Sequence, residues 1–215
     1  MIIKSRTDEV IIDLESIQLP GNLSIPVNAT GIIVFSHGSG SSRHSPRNKS
    51  VASFLKTRGF ATLLFDLLTP QEDLYYNNRF NIALLTERLV QVTSWLQKES
   101  QTKGYKIGYF GSSTGAASAL AASAITGDSV KAVVSRGGRP DLAMPYLSEV
   151  KAATLLMVGG LDHAVIKLNE EAYENLGTEE KQLTIIPDAT HLFEEPGKLE
   201  EVSSIASEWF TRHLR

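Results

Sequence analysis

The sequence predicts an α/β protein with a mostly parallel central sheet and helices on both of its faces, in one domain spanning residues 1–215. Three observations predict it. Short, continuous apolar runs recur along the chain, helical spacing fills stretches between them, and turns rich in Gly and Ser follow several of the runs. Strand, helix and strand in alternation build a parallel sheet, and a strand covered on both faces is apolar throughout instead of alternating.

The first segment departs from that grammar. Residues 10–14 and 17–19 read as one or two strands, Pro20-Gly21-Asn22 as a turn, and residues 23–26 as a strand returning along an antiparallel edge. Buried strands are then expected at residues 32–35, 61–65, 107–110, 132–134, 154–158 and 183–186. Ile82, Leu85, Leu89, Val92 and Leu96 place an apolar stripe on a helix over residues 81–98, and Leu199, Val202, Ile205, Trp209 and Phe210 do the same over residues 198–213. Only the short connection 136–151 separates two of the strands, so no cap domain is expected and the site should be open.

Composition removes several function classes. Of the 215 residues 42% are hydrophobic and 21% charged, an ordinary globular balance, and the net charge of -3 comes without any basic run. Nucleic acid and anionic membrane both need a concentrated cationic face, so neither partner is expected. There is no cysteine, which excludes disulfides, thiolate metal sites and a thiol nucleophile. Met1-Ile2-Ile3-Lys4-Ser5-Arg6, followed by Asp8, Glu9 and Asp13, lacks the apolar stretch of a signal peptide, and no later run approaches a membrane span. A cytoplasmic protein is the expectation.

In an open parallel sheet the active site lies beyond the carboxyl ends of the strands. After the run at 107–110 comes Gly111-Ser112-Ser113-Thr114-Gly115, followed at once by the small-residue helix starting Ala116-Ala117. This is G-x-S-x-G between strand and helix, with Ser113 on the sharp turn. A Gly/Ser turn that merely caps a helix is the plainer alternative. Two further strand ends weigh against it. Asp162 follows the run at 154–158, and His191 follows the run at 183–186. The order Ser, Asp, His is that of α/β hydrolases. A serine hydroxyl needs an imidazole to take its proton, and the imidazole needs a carboxylate to hold its tautomer. Ser113, His191 and Asp162 are therefore the expected catalytic residues. Asp188 is the rival carboxylate but sits so near His191 that it more plausibly shapes that loop. His37, His44, His163 and His213 fit the role of base less well.

Acyl transfer also needs N–H donors for the oxyanion. Thr114, the residue after the nucleophile, should supply one, and Ser39 in Phe35-Ser36-His37-Gly38-Ser39-Gly40 the other, with His37 structural. A phosphate-binding loop is the alternative for that element, but it lacks Gly-Lys-Ser/Thr and a third glycine.

With these residues laid out, the chain resembles the small α/β hydrolases of the dienelactone-hydrolase-like group, in a serine-nucleophile form. The likeness is carried by residues 37–48, Tyr109 to Gly115, Ser135-Arg136-Gly137-Gly138-Arg139-Pro140-Asp141, Val158 to Asp162 and Thr190 to Gly197. It implies the α/β-hydrolase fold and a hydrolase. Such domains occur alone or joined to a phosphoribosyltransferase domain, for which this chain is too short and shows no matching motif. Dienelactone hydrolases proper use a cysteine; Ser113 stands here instead, so lactone opening of that kind does not carry over.

The leading expectation is cleavage of a small-molecule ester through an acyl-serine, without metal or organic cofactor. Acyl transfer to an alcohol, or attack on a thioester or amide, would use the same three residues, and a non-catalytic binding protein on this scaffold is the reading from another class. Arg43, Arg47, Arg79, Arg136 and Arg139 crowd the expected rim. Arg43, Arg136 and Arg139 are candidates for gripping a carboxylate or phosphate on the substrate. The alternative is that these arginines pair with nearby acids such as Asp66, Glu72 and Asp141. The segment 69–78, with Tyr75 and Tyr76, is read as one wall.

Overall fold

The structure, a computed structural model, describes residues 6–215. Met1 to Ser5, part of the stretch read above for a leader, lie outside the described residues. Eight strands form one sheet in the order β1-β2-β4-β3-β5-β6-β7-β8. β1 (Arg6–Leu14) and β2 (Ile17–Ile25) make an antiparallel hairpin, and β2 pairs antiparallel with β4 (Ala61–Phe65). From β4 onward β3 (Gly31–Ser36), β5 (Lys106–Ser112), β6 (Val130–Arg136), β7 (Ala153–Gly159) and β8 (Lys181–Ile186) all run parallel.

Two expectations about strands are corrected. The turn is at Glu15-Ser16, and β2 runs straight through Pro20-Gly21-Asn22. A proline inside a strand usually removes a ladder hydrogen bond. Here the Pro20 carbonyl accepts the Asp66 N–H just beyond the end of β4. Because N–H and C=O of one antiparallel residue face the same neighbour, the absent donor of Pro20 faces the spot where β4 has run out. The second correction is β8. Only Ile186 is buried in it, since β8 is the sheet's far edge.

The helices, numbered in chain order, are α1 (Pro46–Thr57), the single turn α2 (Pro70–Asp73), α3 (Ile82–Lys98), α4 (Thr114–Thr126), the single turn α5 (Met144–Leu147), α6 (His163–Asn175) and α7 (Lys198–Leu214). Successive strand residues feed opposite cores. Ile32 and Val34 pack with Leu89 and Val92 of α3 and Leu120 of α4, whereas Ile33 and Phe35 pack with Leu55 of α1 and Phe210 of α7. Five alanines and Leu120 let α4 be buried on every side over residues 114–123 and lie close to the sheet. No cap interrupts the fold: the connection after β6 holds one short 3-10 turn and α5. Among the described residues no helix is long and apolar enough to cross a membrane.

Candidate active site

Ser113 joins β5 to α4 with φ 52° and ψ -123°. A non-glycine residue rarely adopts a positive φ, which costs on the order of 1–3 kcal/mol unless the surroundings impose it. The surroundings do. Ser113 N–H donates to the Arg136 carbonyl at 3.3 Å, and the Ser113 carbonyl accepts from the N–H groups of Ala116 and Arg139, each at 3.1 Å. Gly111 and Gly115 leave the room this turn needs. A Cβ on Gly115 would run into the carbonyl oxygens of Ser36 and His37, and one on Gly111 into the backbone of Ala116 and Gly115. The turn therefore carries Ser113 half-buried at the carboxyl end of β5 while Ser112 and Thr114 on either side are buried.

The loops after β7 and β8 are laced together. Gly160 N–H donates to Ile186 O at 2.8 Å and Leu161 N–H to Ala189 O at 3.0 Å. This brings Asp162 Oδ2 to 2.6 Å from His191 Nδ1. The His191 side chain keeps 38% of its surface exposed, against 16% for Asp162, so the imidazole is reachable from solvent. Its ring stands over Gly137, where an added Cβ would fall 3.6 Å from His191 Cε1, one residue from the Arg136 carbonyl that holds Ser113. Ser113 Oγ and His191 Nε2 make no hydrogen bond to each other in this arrangement. Asp188 is exposed, at φ 57°, and turns the loop, while the carboxylate on His191 is that of Asp162.

The His191 loop is held from several directions. Phe193, at φ 56°, is fully buried in the α1–α7 core. Thr190 N–H and Oγ1–H both donate to Glu195 Oε1, at 3.1 and 2.5 Å. The remaining histidines lie elsewhere: His44 and His163 are exposed, and His213 rests on the Trp209 ring with centroids 4.6 Å apart.

The loop after β3 lies against the start of α4. Ser39 N–H donates to Thr114 Oγ1 at 2.8 Å, so this N–H is already engaged. The Thr114 N–H belongs to the first turn of α4, whose N–H groups have no partner within the helix. His37 ties the loop to the next strand end. Its Nδ1–H donates to Gly38 O at 3.0 Å, and its Nε2 accepts the Leu67 N–H at 3.2 Å. Burial pushes its pKa below the ordinary value, against the raising influence of Gly38 O, Asp66 and Asp73. Behind this loop opens a cavity of about 240 Å³ walled by Ser39, Arg43, Leu67, Leu68, Pro70 and Asp73 among others. The segment 69–78 walls this cavity through Pro70 and Asp73, but the cavity is not lined by Ser113, Asp162 or His191, and Tyr75 and Tyr76 point outward at 70% and 67% exposure.

The rim arginines separate cleanly. Arg43 pairs with Asp66, Arg79 with Asp73, Arg47 with Glu194, and Arg139 with Asp141, the last through two hydrogen bonds of 2.8 and 2.7 Å. Arg136 has no carboxylate partner among the described residues. It is 6% exposed, its Nε is unpaired, and a guanidinium N–H reaches only the Leu192 carbonyl at 3.5 Å beside the Phe193 ring. Burial and the neighbouring Arg47 push its pKa down to about 10. Sequence reasoning missed one service of this stretch. The Arg136 carbonyl and the Arg139 N–H clamp Ser113, and the paired glycines between them are the signal that a close backbone approach is needed. Among the described residues no three of His, Asp and Glu converge as a metal site.

A family model for the dienelactone hydrolase family matches residues 19–214. The chain is similar to the crystal structure of dienelactone hydrolase from Anabaena variabilis, with a TM-score of 0.96 and 53% identity over 98% of this chain and 99% of that one. Est1E from Butyrivibrio proteoclasticus superposes with a TM-score of 0.80 over 95% of this chain and 98% of that one, a likeness of fold at 17% identity. Two Mycobacterium tuberculosis proteins, provisionally named phosphoribosyl transferases, are 52% identical over 209 residues, 97% of this chain. The chain spans about half the length of these curated relatives, 47%.

Proposed function

The chain belongs to the dienelactone hydrolase family and is an α/β hydrolase, and from that premise we propose that it is a serine hydrolase cleaving small esters through an acyl-serine. The observation that carries this reading is Ser113 itself, held at a positive φ between β5 and α4 by backbone groups of β6 and its loop. Strain concentrated on a half-exposed serine at a strand end serves nucleophilic attack and has no use in packing.

In this reading Ser113 Oγ attacks the acyl carbon while His191 Nε2 takes its proton. The carbonyl π electrons move to oxygen, which is met by the N–H of Thr114 in the oxyanion site formed with the Ser39 loop. Collapse expels the alkoxide, which receives the proton back from His191. Water, deprotonated by His191, then attacks the acyl-serine; Ser113 Oγ leaves, takes that proton from His191, and the acid is released. Asp162 holds the Nδ1–H tautomer throughout. No metal or organic cofactor is needed. An alcohol in place of water would make the same residues an acyltransferase, and a thioester or amide would be attacked at the same carbon.

The substrate, in the same proposal, carries a carboxylate or phosphate that meets Arg136. Arg43 and Arg139 have acids of their own, so the anion is assigned to the guanidinium that lacks one. The transferase name belongs to proteins about twice this length, and nothing in the Ser113 site calls for it.

Labelling with a fluorophosphonate, read as intact mass, tests the nucleophile. Wild type should gain one phosphonyl adduct and Ser113→Ala none. An adduct that persists in Ser113→Ala would sink the assignment.

A further inference from the structure

Thr114 presents a buried hydroxyl that the reaction as described does not use. Thr114 is 4% exposed, and its Oγ1 accepts the Ser39 N–H at 2.8 Å. The hydroxyl proton itself meets no acceptor among the described residues. Leaving a buried donor unpaired costs about 1–3 kcal/mol. Valine or alanine would avoid that cost but would strip the Ser39 N–H of its acceptor, so the hydroxyl serves the loop as an acceptor and has a proton left over.

The bond also bears on how the oxyanion is held. Ser39 N–H is aimed at Thr114 Oγ1, and a donor committed to one acceptor is weakened towards a second. A hydroxyl that accepts from an amide is polarised and becomes a better donor. The unpaired proton sits on the first residue of α4, next to the Thr114 N–H and the nucleophile candidate Ser113.

We propose that the Thr114 hydroxyl is itself a catalytic donor to the oxyanion, relaying the Ser39 N–H through Oγ1 to the developing negative charge. This rests on the acyl-serine reading above. The oxyanion thus receives two hydrogen bonds from one residue, N–H and Oγ–H. Ser39 acts as a positioning residue that orients the hydroxyl. Thr114 gives up no proton: as Ser113 Oγ bonds to the carbonyl carbon and the π pair moves to oxygen, the Thr114 O–H bond stays intact, and the only proton that moves goes from Ser113 to His191.

The test compares Thr114→Val, which keeps the shape and loses the hydroxyl, with Thr114→Ser, which keeps the hydroxyl. On p-nitrophenyl butyrate, Thr114→Val should lose about 10- to 100-fold in kcat with KM changed less than about threefold, somewhat below the loss typical of deleting a full oxyanion donor. Thr114→Ser should stay within about threefold of wild type. Affinity for an aryl trifluoromethyl ketone, which forms a hemiketal oxyanion, should fall in Thr114→Val in step with kcat. Should Thr114→Val not fold, Thr114→Ala gives the same comparison. A kcat that is retained or raised in Thr114→Val would overturn the proposal, because the hydroxyl would then be a plug over Ser39 N–H. A loss in Thr114→Ser equal to that in Thr114→Val would overturn it too, as packing would be responsible. Failure of wild type to take up fluorophosphonate would instead overturn the acyl-serine reading, and the relay with it.

Discussion

Asp162 Oδ2 lies 2.6 Å from His191 Nδ1, a contact made between loops that leave adjacent parallel strands, β7 and β8. The carboxylate accepts the Nδ1–H and so leaves Nε2 without a proton. In the proposed reaction that is the state a base must be in. An amide at position 162 would present N–H to Nδ1 and favour the opposite tautomer. Asp162→Asn is expected to lower kcat by about a thousandfold or more with little change in KM. Steady-state kinetics on a p-nitrophenyl ester, with circular dichroism to verify the fold, checks this. A loss below about tenfold would remove Asp162 from the role.

Arg136 leads to a prediction about substrate charge. A buried guanidinium beside a second arginine, without an acid of its own, gains more from an anionic substrate group than any exposed arginine would. Hydrogen bonds to a charged group contribute roughly 1.5–3 kcal/mol. In Arg136→Gln the kcat/KM for an ester bearing a remote carboxylate or phosphate should fall about 10- to 100-fold further than for the matched neutral ester. Equal losses on both esters would show that Arg136 only packs the His191 loop through Leu192 and Phe193.

His37 predicts how stability changes with pH. Burial holds its folded pKa below the ordinary value of about 6.5, and Nε2 must stay unprotonated to accept the Leu67 N–H. Between the unfolded and folded values the unfolded chain binds more protons, so stability falls as pH decreases. The contribution is complete above about pH 6.5 and shrinks down to the lower folded value. His213, also lowered by burial, acts in the same direction. Urea unfolding at pH 7.5 and 5.5 should show a larger loss for wild type than for His37→Gln, since His213 is common to both. Equal losses would refute the role given to His37.

Much of the fold was legible because its signals are local. The strand at 61–65 and the helix over 81–98 follow from apolar spacing alone, and the observed β4 and α3 differ from those readings by at most one residue. Signals for α1 were also present, with Ser45 accepting the Asn48 N–H and Pro46 opening the helix. The misplaced turn at Pro20-Gly21-Asn22 shows the limit of local reading. Those residues favour turns, yet β1 and β4 on either side hold them extended.

For the site, the sequence by itself determined which residues stand at strand ends: Ser113, Asp162 and His191 each follow an apolar run that forms a strand, and turn chemistry depends on a few neighbouring positions. The tertiary structure alone decided which of these ends meet. It joined His191 to Asp162 across 29 positions, turned Thr114 Oγ1 towards Ser39 across 75, and gave Arg43 its acid across 23 while leaving Arg136 without one. The physical reason is that hydrogen bonding and desolvation act between groups that are close in space. Their partners are chosen by the order of strands in the sheet, which no short stretch of the chain encodes.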